Sequence, residues 1–87
     1  MTLTLRTDVC ATDTDDGMVL LDEANGRYWQ LNTTAALILR TLLGGATPQQ
    51  TAHRLGDRYP QLTAERRDQD VDALVRSLLD ARLVVRA

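Results

Sequence analysis

The chain is short of the residues from which most reactive centres are built. It has one cysteine, Cys10, and one histidine, His53. A single cysteine excludes an intrachain disulfide and a cysteine-rich zinc site, and it suits a reducing, cytosolic setting. The longest uninterrupted apolar run, Ala35–Leu39, is five residues, against the ~20 that a membrane-spanning helix needs. The first residues lack a basic stretch followed by an apolar one, so no secretory signal is expected. Nor is there a basic excess. Net charge is −2, whereas a nucleic-acid binder usually carries a basic balance or stripe to neutralise phosphate. Internal repeats and low-complexity segments are also missing.

What is present is an ordinary globular composition: 87 residues, 44% hydrophobic and 25% charged. That is enough for one domain over 1–87 with a modest core. Leu3, Leu5, Val9 and Ala11 alternate with polar residues, the period of a half-buried strand. Asp13–Gly17 reads as a turn, with Gly17 free to adopt positive φ. Met18–Leu21 is a short second strand. Asn25-Gly26 then closes a hairpin, and Arg27–Leu31 returns as the third strand. Trp29 and Leu31 share a face with Arg27, and Tyr28 and Gln30 share the other.

Helices follow. Asn32 or Thr33 can cap the first, whose apolar residues Ala35–Leu39, Leu42 and Leu43 cover most of its circumference and predict a central, buried helix. Gly44-Gly45 ends it. Thr47-Pro48-Gln49-Gln50 is a capping box with proline at the first helical position. Thr63 caps a third helix whose Val71, Leu74, Val75, Leu78 and Leu79 form an amphipathic stripe. Leu83–Val85 reads as an extended tail. Strands followed by helices predict an α+β domain: a three-stranded antiparallel sheet and three helices, winged helix-turn-helix-like.

No catalytic set emerges. Cys10 and His53 lack the third, orienting group of an activated nucleophile, so Cys10 reads as a strand-surface residue and His53 as a helix-surface one, and no enzyme is expected. Asp13, Asp15 and Asp16 resemble part of a calcium loop but lack its Glu. Gly44-Gly45 lacks the Lys and Ser/Thr of a phosphate loop. No metal or cofactor is expected. A winged-helix DNA reader would use the start of the third helix, yet Arg66 and Arg67 sit between Glu65 and Asp68, which repel phosphate. DNA binding stays an alternative on fold alone, as does some other protein-interaction role. Peptide capture by strand addition needs an unblocked sheet edge beside an apolar groove. In a meander the third strand is such an edge, and Arg27–Leu31 contains no proline. A plain structural hairpin accounts for the same aromatics equally well.

The stretch Val19–Asn32, followed by Ala36, Ile38-Leu39, Leu42, Gly45 and Thr47, resembles the PqqD family of peptide-recognition domains (RiPP recognition elements). It is most similar to the stand-alone type that binds leader peptides in lasso-peptide biosynthesis. The resemblance implies a leader strand antiparallel to the third strand, along Arg27, Tyr28, Trp29, Gln30 and Leu31. It also implies a cleft against the third helix, with Asp68, Val71, Asp72, Val75 and Arg76 as its wall and an apolar pocket for a Tyr-x-x-Pro motif. Arg27 or Arg76 would hold an acidic leader residue. The implied partners are the leader of a precursor peptide and a separate leader peptidase, with a cyclase acting afterwards; nucleic acid and membrane are not expected as partners. The free chain would be a monomer or weak homodimer.

Overall fold

The computed structural model describes residues 2–86. Its elements run β1 (Leu3–Leu5), β2 (Val9–Thr14), β3 (Gly17–Asp22), β4 (Arg27–Asn32), α1 (Thr33–Leu43), α2 (Pro48–Arg58), α3 (Ala64–Asp80) and β5 (Val84–Arg86). Strands β2, β3 and β4 form an antiparallel meander in that order. The expected three-stranded sheet followed by three helices is therefore present, with the third strand now β4.

The first alternating stretch differs from expectation. It breaks between Leu5 and Val9, where Asp8 takes φ 71° and the Val9 N–H donates to the Arg6 carbonyl at 3.0 Å. Only the second half joins the meander. The first half pairs with the tail, Leu3 opposite Arg86 and Leu5 opposite Val84. Alternation continues in phase through the corner, which is why one strand and two look alike in sequence. The next turn is narrower than Asp13–Gly17: Thr14 pairs with Gly17, leaving two residues outside the ladder. Gly17 has φ 153°, and a Cβ there would collide with the Leu31 carbonyl oxygen of β4. Close backbone approach, as well as φ, demands glycine at this position.

The helix starts follow local chemistry. Asn32 Oδ1 accepts from the Ala35 N–H at 2.8 Å and so caps α1; Thr33 instead donates to the Asp16 carbonyl. The Thr47–Gln50 box is reciprocal, and the Thr63 hydroxyl accepts from the Arg66 N–H. Ala36, Ile38, Leu39 and Leu42 of α1 are buried against Leu20 of the sheet, Leu55 of α2, and Val71, Val75 and Leu78 of α3. The ribbon adds Leu3 and Val84 to the same core. Each such Leu, Ile or Val side chain contributes roughly 1.5–3 kcal/mol when fully buried.

Asp22, at the end of β3 beside the hairpin turn, is 0% exposed. Its carboxylate accepts from Asn25 Nδ2 at 2.8 Å and from Arg27 Nη2 at 3.2 Å, and it pairs with Arg6 Nη2 at 2.7 Å. The Asn25 hydrogen bond, then Arg27 and Arg6, hold its pKa down to about 2, against the opposing effect of burial. The unfolded carboxyl titrates near the ordinary value of ~3.9. The unfolded chain therefore binds this proton first, and the stabilisation, fully present above pH ~4, is lost as pH falls toward 2. Urea unfolding from pH 5 to 2 should show this fall in the wild type and a flatter profile in Asp22→Asn. Equal slopes would assign the acid sensitivity elsewhere.

Candidate functional site

Strand β4 lies at an edge of the meander, and the ladder settles which of its backbone groups are free. The Glu23 N–H donates to the Asp8 carbonyl at 2.9 Å. Antiparallel ladders alternate, so odd-numbered residues of β3 turn their backbone groups toward β2 and even-numbered ones toward β4. Leu20 opposite Trp29 and Met18 opposite Leu31 are thus the hydrogen-bonded pairs. The N–H and C=O groups of Tyr28 and Gln30 point away from the sheet. No proline interrupts this edge, and its one charged residue, Arg27, sits at its start.

Side chains divide by the same parity. Trp29 and Leu31 are half-buried on the helix side, packed against the core. Tyr28 is 68% exposed on the opposite face, across from Leu21, and Gln30 is exposed beside it. Arg27 is engaged within the domain: besides Asp22, its guanidinium lies 4.7 Å from the centroid of the Trp29 ring.

Two grooves flank α3. One, of about 440 Å³, includes in its lining Asn32, the last residue of β4. Ala35 and Ile38 of α1, Leu62, and Arg66, Asp70, Ala73, Leu74 and Ser77 of α3 line it. Arg66 and Asp70 form an ion pair of 3.1 Å at its rim. The other groove, of about 370 Å³, is lined by Pro48, Gln49, Asp68, Val71, Asp72, Val75 and Arg86. At about 100° per residue, Ala73 and Ser77 face almost opposite to Val71 and Val75 on the helix.

The five strand residues expected from the sequence therefore lie together on the sheet edge. Asp68, Val71, Asp72 and Val75 also lie together, but around the groove that contains no β4 residue. Arg76 pairs with Asp72 at 2.8 Å, both side chains well exposed, and lines neither groove. The groove that shares Asn32 with β4 is built from residues outside that set. A signal existed: Asp70, Ala73, Leu74 and Ser77 recur at helical spacing, and the small side chains at 73 and 77 leave room beside α1. Among the described residues no helix is long and apolar enough to cross a membrane.

Comparison with known proteins identifies relatives of the whole fold. The family model for PqqD, coenzyme PQQ synthesis protein D, matches residues 17–84. A solved structure described as lasso peptide synthetase B1 complexed with the leader peptide is 40% identical. It superposes with a TM-score of 0.91 over 99% of this chain and 100% of that chain. A second, TbiB1 in complex with the TbiA(beta) leader peptide, is 23% identical with a TM-score of 0.83, over 97% of this chain and 94% of that one; at that identity it shows the shared fold. No curated protein matches the chain by sequence. With β3 through the start of β5 under one family model, and a 40% identical relative superposing along nearly its whole length, this chain belongs to the PqqD family.

Proposed function

We propose that this protein captures the leader segment of a ribosomally made precursor peptide as an extra strand on β4. It then presents the precursor to a separate leader peptidase, with a cyclase acting afterwards, in lasso-peptide biosynthesis. The observation that carries the reading is the unblocked edge with outward Tyr28 and Gln30 backbone groups, on a strand whose last residue, Asn32, lines a groove beside α3. The 40% identical relative is a lasso peptide synthetase B1 holding a leader peptide, which supports the same role here. An antiparallel guest would pair with both outward residues, and its inward side chains would follow Trp29 and Leu31 toward α3.

The domain works by binding, without chemistry of its own. Ordering a flexible leader costs about 2–5 kcal/mol, which keeps capture reversible. Tethering the precursor beside its peptidase raises their effective concentration. Along α3, the groove through Ala73 and Ser77 is the wall continuous with β4; the wall of Asp68, Val71, Asp72, Val75 and Arg76 is the competing one. Amide exchange followed by NMR tests the strand. On addition of a synthetic copy of the 40% identical relative's leader, the Tyr28 and Gln30 amides should become protected. Those of Trp29 and Leu31, already bonded to β3, should change little. Unaltered exchange at Tyr28 and Gln30 would remove strand addition.

A further inference from the structure

We infer that Asp22 is a positioning residue for the guest: through Arg27 it fixes Trp29 as a preset wall on the groove side of the β4 edge. This inference rests on the strand-addition reading and asks more of it. In an antiparallel guest, the residue opposite Trp29 forms the non-hydrogen-bonded type of pair, because the backbone groups of Trp29 already serve β3. That pair has the closest side chains, with Cα atoms about 4.5 Å apart. The indole is therefore the first strand side chain that an inward-pointing guest residue meets on the helix side.

The half-buried indole packs against the core on one side and meets the open edge on the other. Arg27 lies over its ring, 4.7 Å from the centroid, within the range of a cation–π contact. Arg27 is itself a long, half-exposed side chain. Asp22 anchors it at 3.2 Å, and Asp22 is held in turn by Arg6, whose Nε donates to the Arg82 carbonyl at 2.6 Å just beyond α3. The chain of contacts thus runs from the end of α3 to the guest edge. Inside the domain Asp22 is also held by an Asn25 hydrogen bond and by the Arg6 charge. Of its three partners, Arg27 is the one that also lies on Trp29.

Trp29 is the only tryptophan in the chain, so its fluorescence reports on this wall alone. Asp22→Asn tests the anchor but risks the fold; Arg27→Met leaves Asp22 paired with Arg6 and Asn25 and is the deciding variant. Arg27→Lys, which keeps a cation in reach, is the conservative rescue. Arg40→Met, which removes an exposed ion pair to Asp13, controls for loss of charge. The probe is the synthetic leader of the 40% identical relative. Arg27→Met should make Trp29 more accessible to acrylamide and weaken binding about five- to twentyfold, with the fold retained through the Arg6 and Asn25 contacts to Asp22. Arg27→Lys should recover most of the binding. Trp29 freed with binding unchanged would overturn the positioning role while strand addition stands. Binding lost with Trp29 still shielded would make Arg27 itself a guest contact, and an equal loss in Arg40→Met would reduce the effect to charge; either overturns it. A wild type that does not bind the leader would remove strand addition and this inference together.

Discussion

Gln30→Pro is expected to weaken leader binding by roughly five- to 150-fold, and Tyr28→Pro combined with Gln30→Pro to abolish it, with the fold retained in both. The range follows from leaving one buried guest carbonyl unpaired, about 1–3 kcal/mol. The proline ring adds to this by occupying the space where that carbonyl would approach. The domain should tolerate the change because the lost N–H points away from β3, and edge strands accept proline on that side. Proline also pushes the preceding residue toward extended backbone, which Trp29 already has as a member of the ladder. Both replaced side chains are exposed, so no core contact is lost. Trp29→Pro is the contrasting variant: it removes a donor to β3 and a half-buried ring, and should destabilise the sheet itself. Calorimetric titration with the leader, alongside thermal unfolding of each variant, separates the two effects. Leader binding by the double proline variant at wild-type strength would show that the guest does not use this edge.

How much of this could be read from the residues depends on how far apart the interacting partners lie. The Asn25-Gly26 hairpin, the Thr47–Gln50 box and the Thr63 cap are set within a few residues, and each stands where its chemistry puts it. The edge position of β4 also follows from strand order in a meander. The split of the first strand does not, because β1 is fixed by pairing with residues some eighty positions away. Asp22 is similar. From local sequence it is a turn aspartate; its burial depends on Arg6, which arrives from the corner between β1 and β2.

The binding site divides along the same line. The parity of Arg27–Leu31 gives the faces of the side chains. The direction of the backbone groups depends on ladder phase, which a one-residue slip exchanges and which one hydrogen bond, Glu23 to Asp8, settles. On α3 the apolar stripe correctly marks the side facing the core. It does not mark the flank left open toward β4, because that depends on how α1 and α2 cover the stripe. Val71 and Val75 are covered to 2% and 7% exposure, whereas Leu74 remains half-buried on the other flank.

Ala73→Phe should therefore separate the two walls of α3, weakening leader binding about tenfold to 150-fold. That range corresponds to denying one apolar guest side chain its full burial, about 1.5–3 kcal/mol. Ala73 is exposed and lines the groove without entering the core, so the larger ring fills guest space and leaves the packing of Ile38 and Leu78 intact. On the opposite flank, Asp68→Ala, Asp72→Ala and Arg76→Ala should stay within about twofold of wild type. The Asp72–Arg76 pair is solvent-exposed on both sides, and such pairs contribute about 0–1 kcal/mol. Salt sensitivity gives an independent check, since a guest anchored by Arg76 would bind more weakly as ionic strength rises, while one seated beside Ala73 would not. The reverse pattern, with binding lost in the Asp68, Asp72 and Arg76 variants and kept in Ala73→Phe, would move the guest to the groove of Val71 and Val75. It would also require the leader to bend around the end of α3 after leaving β4. The groove lined by Asn32 asks for no such bend, because it shares that residue with the strand along which the guest would pair.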